Sequence, residues 1–141
     1  MATHGGGAFM NGSKIAVGHT KRMSDAIIGF GDFAVGVGAQ DRNRVRLAAL
    51  TELSGKALRV RMHGSAATDL AWVANGRLDA SLTLSNKVWD IAAGVLLVRE
   101  AGGRVYDLDG SEHSLRSVFT LASGFHLAAS IMELLNLALG V

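Results

Sequence analysis

The sequence contains no cysteine and no proline, and its aromatic residues are only five Phe, two Trp and one Tyr. Without cysteine the chain forms neither a disulfide nor a thiolate metal site, which fits a reducing compartment. The five histidines are scattered without ligand spacing, which argues against zinc. The basic residues are scattered too and do not interleave with aromatic residues, so the sequence shows no nucleic-acid footprint.

Long hydrophobic runs are also missing. The apolar stretch over residues 125–141 is interrupted by Glu133 and Asn136 and is too short to span a bilayer. The N-terminus is glycine-rich and lacks the charged and then apolar pattern of a signal peptide. The sequence contains no Walker A motif, complete dinucleotide fingerprint or catalytic-triad signature. We therefore expect a cytoplasmic protein that binds neither membranes nor nucleic acid.

Apolar residues make up 49% of the chain, and their periodicity predicts alternating strands and helices. Asn11-Gly12 between two short apolar runs predicts a β-hairpin with a type I′ turn over residues 8–17. Residues 26–37 are predicted to be a strand that runs into a Gly-rich loop. Further strands are predicted at 58–62, 78–84, 104–108 and 117–121, and helices at 41–53, 66–74, 90–100 and 125–139. The strand at 78–84 alternates apolar and polar residues, which predicts one buried face. The order predicts an α/β fold with a mixed sheet flanked by helices.

Asp90 follows Trp89 at the start of a predicted helix that ends at Gly102-Gly103. The helix dipole and the free N–H groups at a helix start favour an ionised carboxylate, and such a carboxylate suits a hard cation such as Mg²⁺. A simple helix cap explains the same residue. We expect Trp89 to pack against the core.

Gly64-Ser65-Ala66-Ala67 combines a glycine, a capping residue and two small residues at a second helix start. Free N–H groups there can bind an anion or a hydroxyl, and the small side chains let a ligand approach the backbone. An ordinary N-capped helix fits the local sequence equally well. Arg61 and His63 flank this segment, and each suits either a substrate contact or a structural role.

Five segments, taken together in order and spacing, resemble the C-terminal half of the inositol monophosphatase family of Mg²⁺-dependent, lithium-sensitive phosphomonoesterases. They are residues 5–17, 61–71, 89–94, 100–103 and 107–110. The resemblance implies the C-terminal α/β layer of that family's sandwich, preceded by a hairpin from the sheet of the missing N-terminal half. It divides the chain into residues 1–24, a hairpin remnant of the first domain, and residues 25–141, a substrate-side domain.

The resemblance also implies a site. It makes Asp90 a metal ligand for Mg²⁺, assigns no catalytic residue, and gives a substrate-binding set of Gly64, Ser65, Ala66, Thr83 and Arg61. Thr83 stands where inositol-specific members have a glutamate that takes a substrate hydroxyl. The resemblance implies inositol phosphate or related sugar and polyol monophosphates as substrates. The missing charge at Thr83 counts against inositol phosphate and leaves the other sugar or polyol phosphates, and nucleotide-type monophosphates, open.

The family's first-half motifs, a Glu-Glu pair and Asp-Pro-Ile-Asp-Gly-Thr, have no counterpart in this sequence. These motifs carry most of the metal ligands in the family, so the Mg²⁺ site of this chain is expected to be incomplete and the isolated chain inactive. The expected partners are a small phosphorylated substrate and either the missing N-terminal half or a second copy in a homodimer. Two alternatives remain open, namely a non-catalytic dimerisation or regulatory module and a truncated fragment without function.

Overall fold

A five-stranded mixed sheet forms the centre of the computed structural model, which describes residues 1–85 and 87–140. Val141, the last residue of the predicted second domain, lies outside the described residues, as does Asn86. The elements in chain order are β1 (Ala2–Thr3), β2 (Gly7–Met10), β3 (Ser13–Lys14), β4 (Ile27–Phe30), α1 (Ala39–Lys56), β5 (Arg59–Arg61), α2 (Ala66–Ala74), β6 (Ala80–Thr83), α3 (Val88–Glu100), β7 (Arg104–Tyr106), β8 (Thr120–Ser123) and α4 (Ala128–Leu139).

The strand order of the large sheet is β5-β4-β6-β8-β7. Strands β5, β4 and β6 run parallel, with Ile28 opposite Val60 on one side and Ala80 on the other. Strand β8 is antiparallel to both β6 and β7. The predicted α/β class and mixed sheet are therefore confirmed.

Helices cover both faces of this sheet. Helices α1 and α4 share one apolar cluster with inward residues of β4, β6 and β8, including Phe30, Leu82 and Leu121. Helices α2 and α3 build the second cluster on the opposite face. The prediction that β6 is half-buried is wrong, because β6 is the middle strand and its polar Ser81 is only 2% exposed. Its alternating pattern does not mark a solvent-exposed face, because helices cover both faces of the strand.

The predicted hairpin is confirmed at its turn. Asn11 and Gly12 both have positive φ, 51° and 80°, as a type I′ turn requires, and Met10 pairs with Ser13. A further short strand, β1, pairs with β2 and was not predicted. Ala8 is fully buried in the α2–α3 cluster, so the hairpin packs on the second domain. The division after residue 24 remains a prediction.

Two elements, β8 and α4, begin three residues later than predicted. Strand β8 begins at Thr120 because Ser114 and Ser117 first form a local turn, in which each backbone N–H bonds to the other serine. Helix α4 begins at Ala128, and Phe125 stays 60% exposed beneath the Arg104 guanidinium. Among the described residues, no helix combines the length and the apolar character needed to cross a membrane.

Candidate functional site

A cleft of about 260 Å³ opens where β4 and β6 end side by side. The chain leaves β4 toward β5 on one side and leaves β6 toward α3 and β7 on the other, so the two connections diverge. Such a divergence at the carboxyl ends of parallel strands is where open α/β sheets bind ligands. The topology thus provides a binding crevice before any side chain is considered.

Helix α1 holds the loop after β4, which forms one wall of the cleft. Asn43 makes two hydrogen bonds to the backbone of Ala34, accepting from its N–H at 2.7 Å and donating to its carbonyl at 3.0 Å. Arg46 is 5% exposed and donates through Nε to the Asp32 carbonyl at 3.2 Å. Its Nη2 donates to Ser85 Oγ at 3.2 Å, in the loop after β6. One buried guanidinium therefore joins the loops that follow β4 and β6.

The Gly64–Ala66 turn forms the opposite wall. Gly64 has φ of 75°, a conformation that favours glycine, and Ser65 Oγ accepts from the Thr68 N–H at 3.2 Å. This confirms Ser65 as the N-cap of α2 and confirms the predicted bounds of that helix. The first N–H groups of α2 are consequently presented beside the cleft.

Asp90 lies in the first turn of α3, two residues after the helix begins at Val88. Its side chain lines the cleft together with Gly64–Ala66 and Thr83. A second cleft of about 340 Å³ shares Asp90 and the same turn and adds Ala67 and Trp89. Asp90 therefore stands between two openings, in a position that suits either a metal ligand or a charge at a helix start.

Below the turn, Asp69 is 2% exposed and its Oδ1 lies 2.8 Å from His63 Nδ1. Burial raises the pKa of Asp69, the hydrogen bond and charge of His63 oppose that rise, and the nearby charge of Asp32 adds to it. His63 also packs edge-to-face on Trp72, with ring centroids 4.7 Å apart. Of its two predicted roles, the structure thus shows His63 in a structural contact.

The structure brings together five of the six predicted site residues and leaves Arg61 elsewhere. Gly64, Ser65, Ala66, Thr83 and Asp90 all line one cleft. Arg61 lies on the exposed edge strand β5 and is not among the described residues that line either cleft. The prediction that Trp89 packs in the core is wrong: its side chain is 78% exposed and lies 5.6 Å from Lys87 Nζ.

Sequence reasoning missed Asp32 and Arg46. Asp32 directly follows a predicted strand and Gly31, a position that commonly carries site residues in α/β folds and was the available signal. Arg46 has no comparable signal, because a basic residue on an amphipathic helix is usually solvated. Its burial depends on carbonyl and hydroxyl acceptors distant in sequence.

The capacity of the cleft for a metal ion is partial. Asp32 and Asp90 supply two carboxylates to its lining. In the described ranges, no group of three or more His, Cys, Asp or Glu side chains is placed to hold a metal. Mg²⁺ prefers six oxygen ligands and keeps several as water, so Asp90 fits as one ligand of a site completed elsewhere.

Known proteins resemble the chain over nearly its whole length. A model of the inositol monophosphatase family matches residues 1–139. The inositol-1-monophosphatase of Rhizobium meliloti is 38% identical over 135 residues, which are 96% of this chain and 50% of that protein. A Nus factor SuhB of Xylella fastidiosa is 42% identical over 113 residues, 79% of this chain and 39% of that protein.

The fold is shared with solved structures as well. The extragenic suppressor protein suhB of Bartonella henselae superposes with a TM-score of 0.86 at 33% identity, over 95% of this chain and 50% of that one. The chain therefore spans about half the length of the relatives that it matches.

Proposed function

The chain belongs to the inositol monophosphatase family, and we propose that it forms the substrate-side half of a Mg²⁺-dependent phosphomonoesterase. The proposed substrates are inositol phosphate or related sugar and polyol monophosphates. The observation that carries the proposal is the shared cleft, in which Asp90 faces the Gly64–Ala66 turn and Thr83. A metal ligand and a substrate-binding turn have to lie this close for one phosphomonoester to reach both.

Each part of the cleft has a proposed role. Asp90 holds Mg²⁺ through a carboxylate oxygen, the backbone of the Gly64–Ala66 turn contacts the organic part of the substrate, and Thr83 offers a hydroxyl to it. Bound Mg²⁺ supplies polarisation of the phosphoryl oxygens and activation of a water. Arg61 lies away from the cleft on β5, so a substrate contact for it requires a ligand that extends to the sheet edge.

The remaining metal ligands are proposed to come from the region of the relatives that this chain does not span, or from a second copy. This is supported by the two carboxylates of the cleft, which fall short of an Mg²⁺ site. The isolated chain is accordingly proposed to have little or no phosphatase activity. A cytoplasmic location belongs to the same proposal and rests on the absence of cysteine.

The test completes the chain with the N-terminal half of the Rhizobium meliloti relative and measures hydrolysis against Mg²⁺ concentration. Asp90→Asn keeps the size of Asp90 but removes its charge. We expect it to cost several kcal/mol of transition-state stabilisation, about 100-fold or more in kcat/KM, with a raised Mg²⁺ requirement. The thermal midpoint should hardly change.

The matched controls are Asp107→Asn and Asp109→Asn, in the turn after β7, where hydrogen bonds to neighbouring backbone N–H groups occupy both carboxylates. Their rates should stay near those of the completed wild type. A normal rate and Mg²⁺ dependence for Asp90→Asn would remove Asp90 from the site and leave it as a helix-start charge. Turnover by the verified 141-residue chain alone would disprove the proposed incompleteness.

A second candidate function is a non-catalytic interaction module. The name Nus factor on the Xylella fastidiosa relative favours it, since that name refers to something other than phosphatase activity. Exposed apolar side chains at Val88, Trp89 and Leu115 supply surface for a partner. Sedimentation of the isolated chain and turnover of the completed enzyme together separate the two candidates: a stable dimer combined with no Mg²⁺-dependent turnover after completion would favour the module.

A further inference from the structure

Asp32 lies in the same cleft as Asp90 and Thr83, yet the function proposed above gives it no role. We propose that Asp32 determines substrate specificity, its carboxylate accepting a hydrogen bond from a hydroxyl on the alcohol part of the phosphomonoester. The inference rests on the proposed function and adds the residue that would favour a polyol over an alcohol without further hydroxyls.

The backbone at Asp32 is held in place although it belongs to a loop. The buried Arg46 donates to its carbonyl at 3.2 Å, and the two hydrogen bonds of Asn43 hold Ala34 two residues later. These contacts use backbone atoms of the loop and do not involve the Asp32 carboxylate. A side chain on a fixed backbone loses less entropy when a ligand orders it.

The Asp32 carboxylate is directed at the Gly64–Ala66 turn. A Cβ built on Gly64 would lie 3.3 Å from Asp32 Oδ2, so the carboxylate sits directly against this glycine. The first N–H groups of α2 and the hydroxyl of Thr83 border the same cleft. An acceptor beside donors suits a hydroxyl group, because a hydroxyl both donates and accepts hydrogen bonds.

The charges in the cleft indicate which side binds the phosphate and which side binds a hydroxyl. At this end of the cleft the Asp32 carboxylate lies against the turn, while His63 pairs with the nearby Asp69. A phosphate placed there would be repelled by the Asp32 carboxylate, whereas a neutral hydroxyl donor is attracted by it. The phosphate is therefore assigned to the Asp90 side, with its cations, and the polyol hydroxyl to the Asp32 side.

The first test compares two substrates on the completed enzyme, myo-inositol 1-phosphate and 4-nitrophenyl phosphate, whose alcohol carries no further hydroxyl. For Asp32→Ala we expect kcat/KM to fall about 10- to 100-fold with the inositol phosphate and less than about 3-fold with the nitrophenyl ester. Asp32→Asn, which keeps one acceptor oxygen, should fall in between. Asp41→Asn, an exposed carboxylate in the first turn of α1, is the matched control.

An equal loss on both substrates, or no loss on either, would overturn the inference, since neither is a specificity effect. If the completed wild type hydrolyses neither ester, the proposed function fails, and a second measurement decides the role of Asp32. Neutral myo-inositol is then titrated into the isolated chain while the amide NMR signals of Gly64, Ser65 and Thr83 are followed.

We expect the wild type and Asp41→Asn to show saturable shifts at these amides and Asp32→Ala to need about 10-fold more inositol. Equal shifts in Asp32→Ala, or no response of the wild type, would reject Asp32 as a hydroxyl acceptor. The backbone hydrogen bonds of Arg46 stay possible in Asp32→Ala, so an unchanged amide spectrum away from the cleft verifies that the loop is intact.

Discussion

Gly94 lies at the contact between α2 and α3, and replacing it with alanine tests how tightly these helices pack. A Cβ built at Gly94 would lie 2.6 Å from both Cβ and Cδ1 of Leu70, which is 1% exposed. Non-bonded carbons are comfortable at about 3.5–4.0 Å. The sequence predicts that the small residues of α3 allow close approach to the sheet, but at Gly94 the close neighbour is helix α2.

The expected change in the free energy of unfolding for Gly94→Ala is the difference of two opposing effects. Adding a methyl group to a well-packed core costs about 1–3 kcal/mol. Alanine gains about 1 kcal/mol over glycine in helix propensity. The Leu70 Cβ cannot move away by a rotamer change, so the steric cost belongs in the upper part of its range. We expect Gly94→Ala to lower the free energy of unfolding by about 1–2 kcal/mol, or about 3–6 °C in Tm.

The assay is urea unfolding followed by far-UV circular dichroism, with Gly55→Ala as the matched control. Gly55 lies in α1 and has no atom within 4 Å of a built Cβ, so alanine there should stabilise by about 0.5–1 kcal/mol. In a Leu70→Ala background the penalty of Gly94→Ala should shrink but not disappear, because the Cδ1 contact is removed while the Cβ contact remains. If Gly94→Ala stabilises the chain as much as Gly55→Ala does, the tight α2–α3 contact is refuted.

Two further predictions concern titratable groups. Backbone N–H groups of Gly5 and Gly7 bond to Glu100 and hold its pKa below the ordinary range. Glu100→Gln should therefore speed hydrogen exchange over residues 2–14 but not over β6. Glu133→Gln, at an exposed position, is the control and should leave exchange unchanged. Unchanged exchange in Glu100→Gln would contradict the prediction. Burial and Arg99 lower the pKa of His113 from 6.5. His113 therefore binds a proton more readily in the unfolded chain than in the folded one. The stability that its neutral form contributes is present above pH 6.5 and is lost as the pH falls toward the lowered pKa of the folded state. Between about pH 7 and pH 5 the Tm should fall less steeply with pH for His113→Gln than for wild type or for the exposed His19→Gln control. Parallel curves for all three would exclude His113 as the cause.

Local chemistry explains why several elements were predictable from sequence. The Asn11-Gly12 turn needs two residues that tolerate positive φ, and Ser65 supplies a cap for the helix that follows it. These preferences act over two to four residues, so neighbours along the chain suffice to specify them. The exact start of β8 escaped prediction because two serines form a competing turn just before it.

By itself the sequence determined the α/β class, the hairpin turn, the bounds of α2 and, through five segments in order, the family. Only the tertiary structure decided that Asp32, Thr83, Asp90 and the Gly64–Ala66 turn share a cleft, that Arg61 lies apart on the sheet edge, and that β6 is buried on both faces. The physical reason is the chain path, since β6 pairs with β4 across about fifty intervening residues. Which loops become neighbours depends on that pairing and on the helix layers around it, and no local preference specifies either.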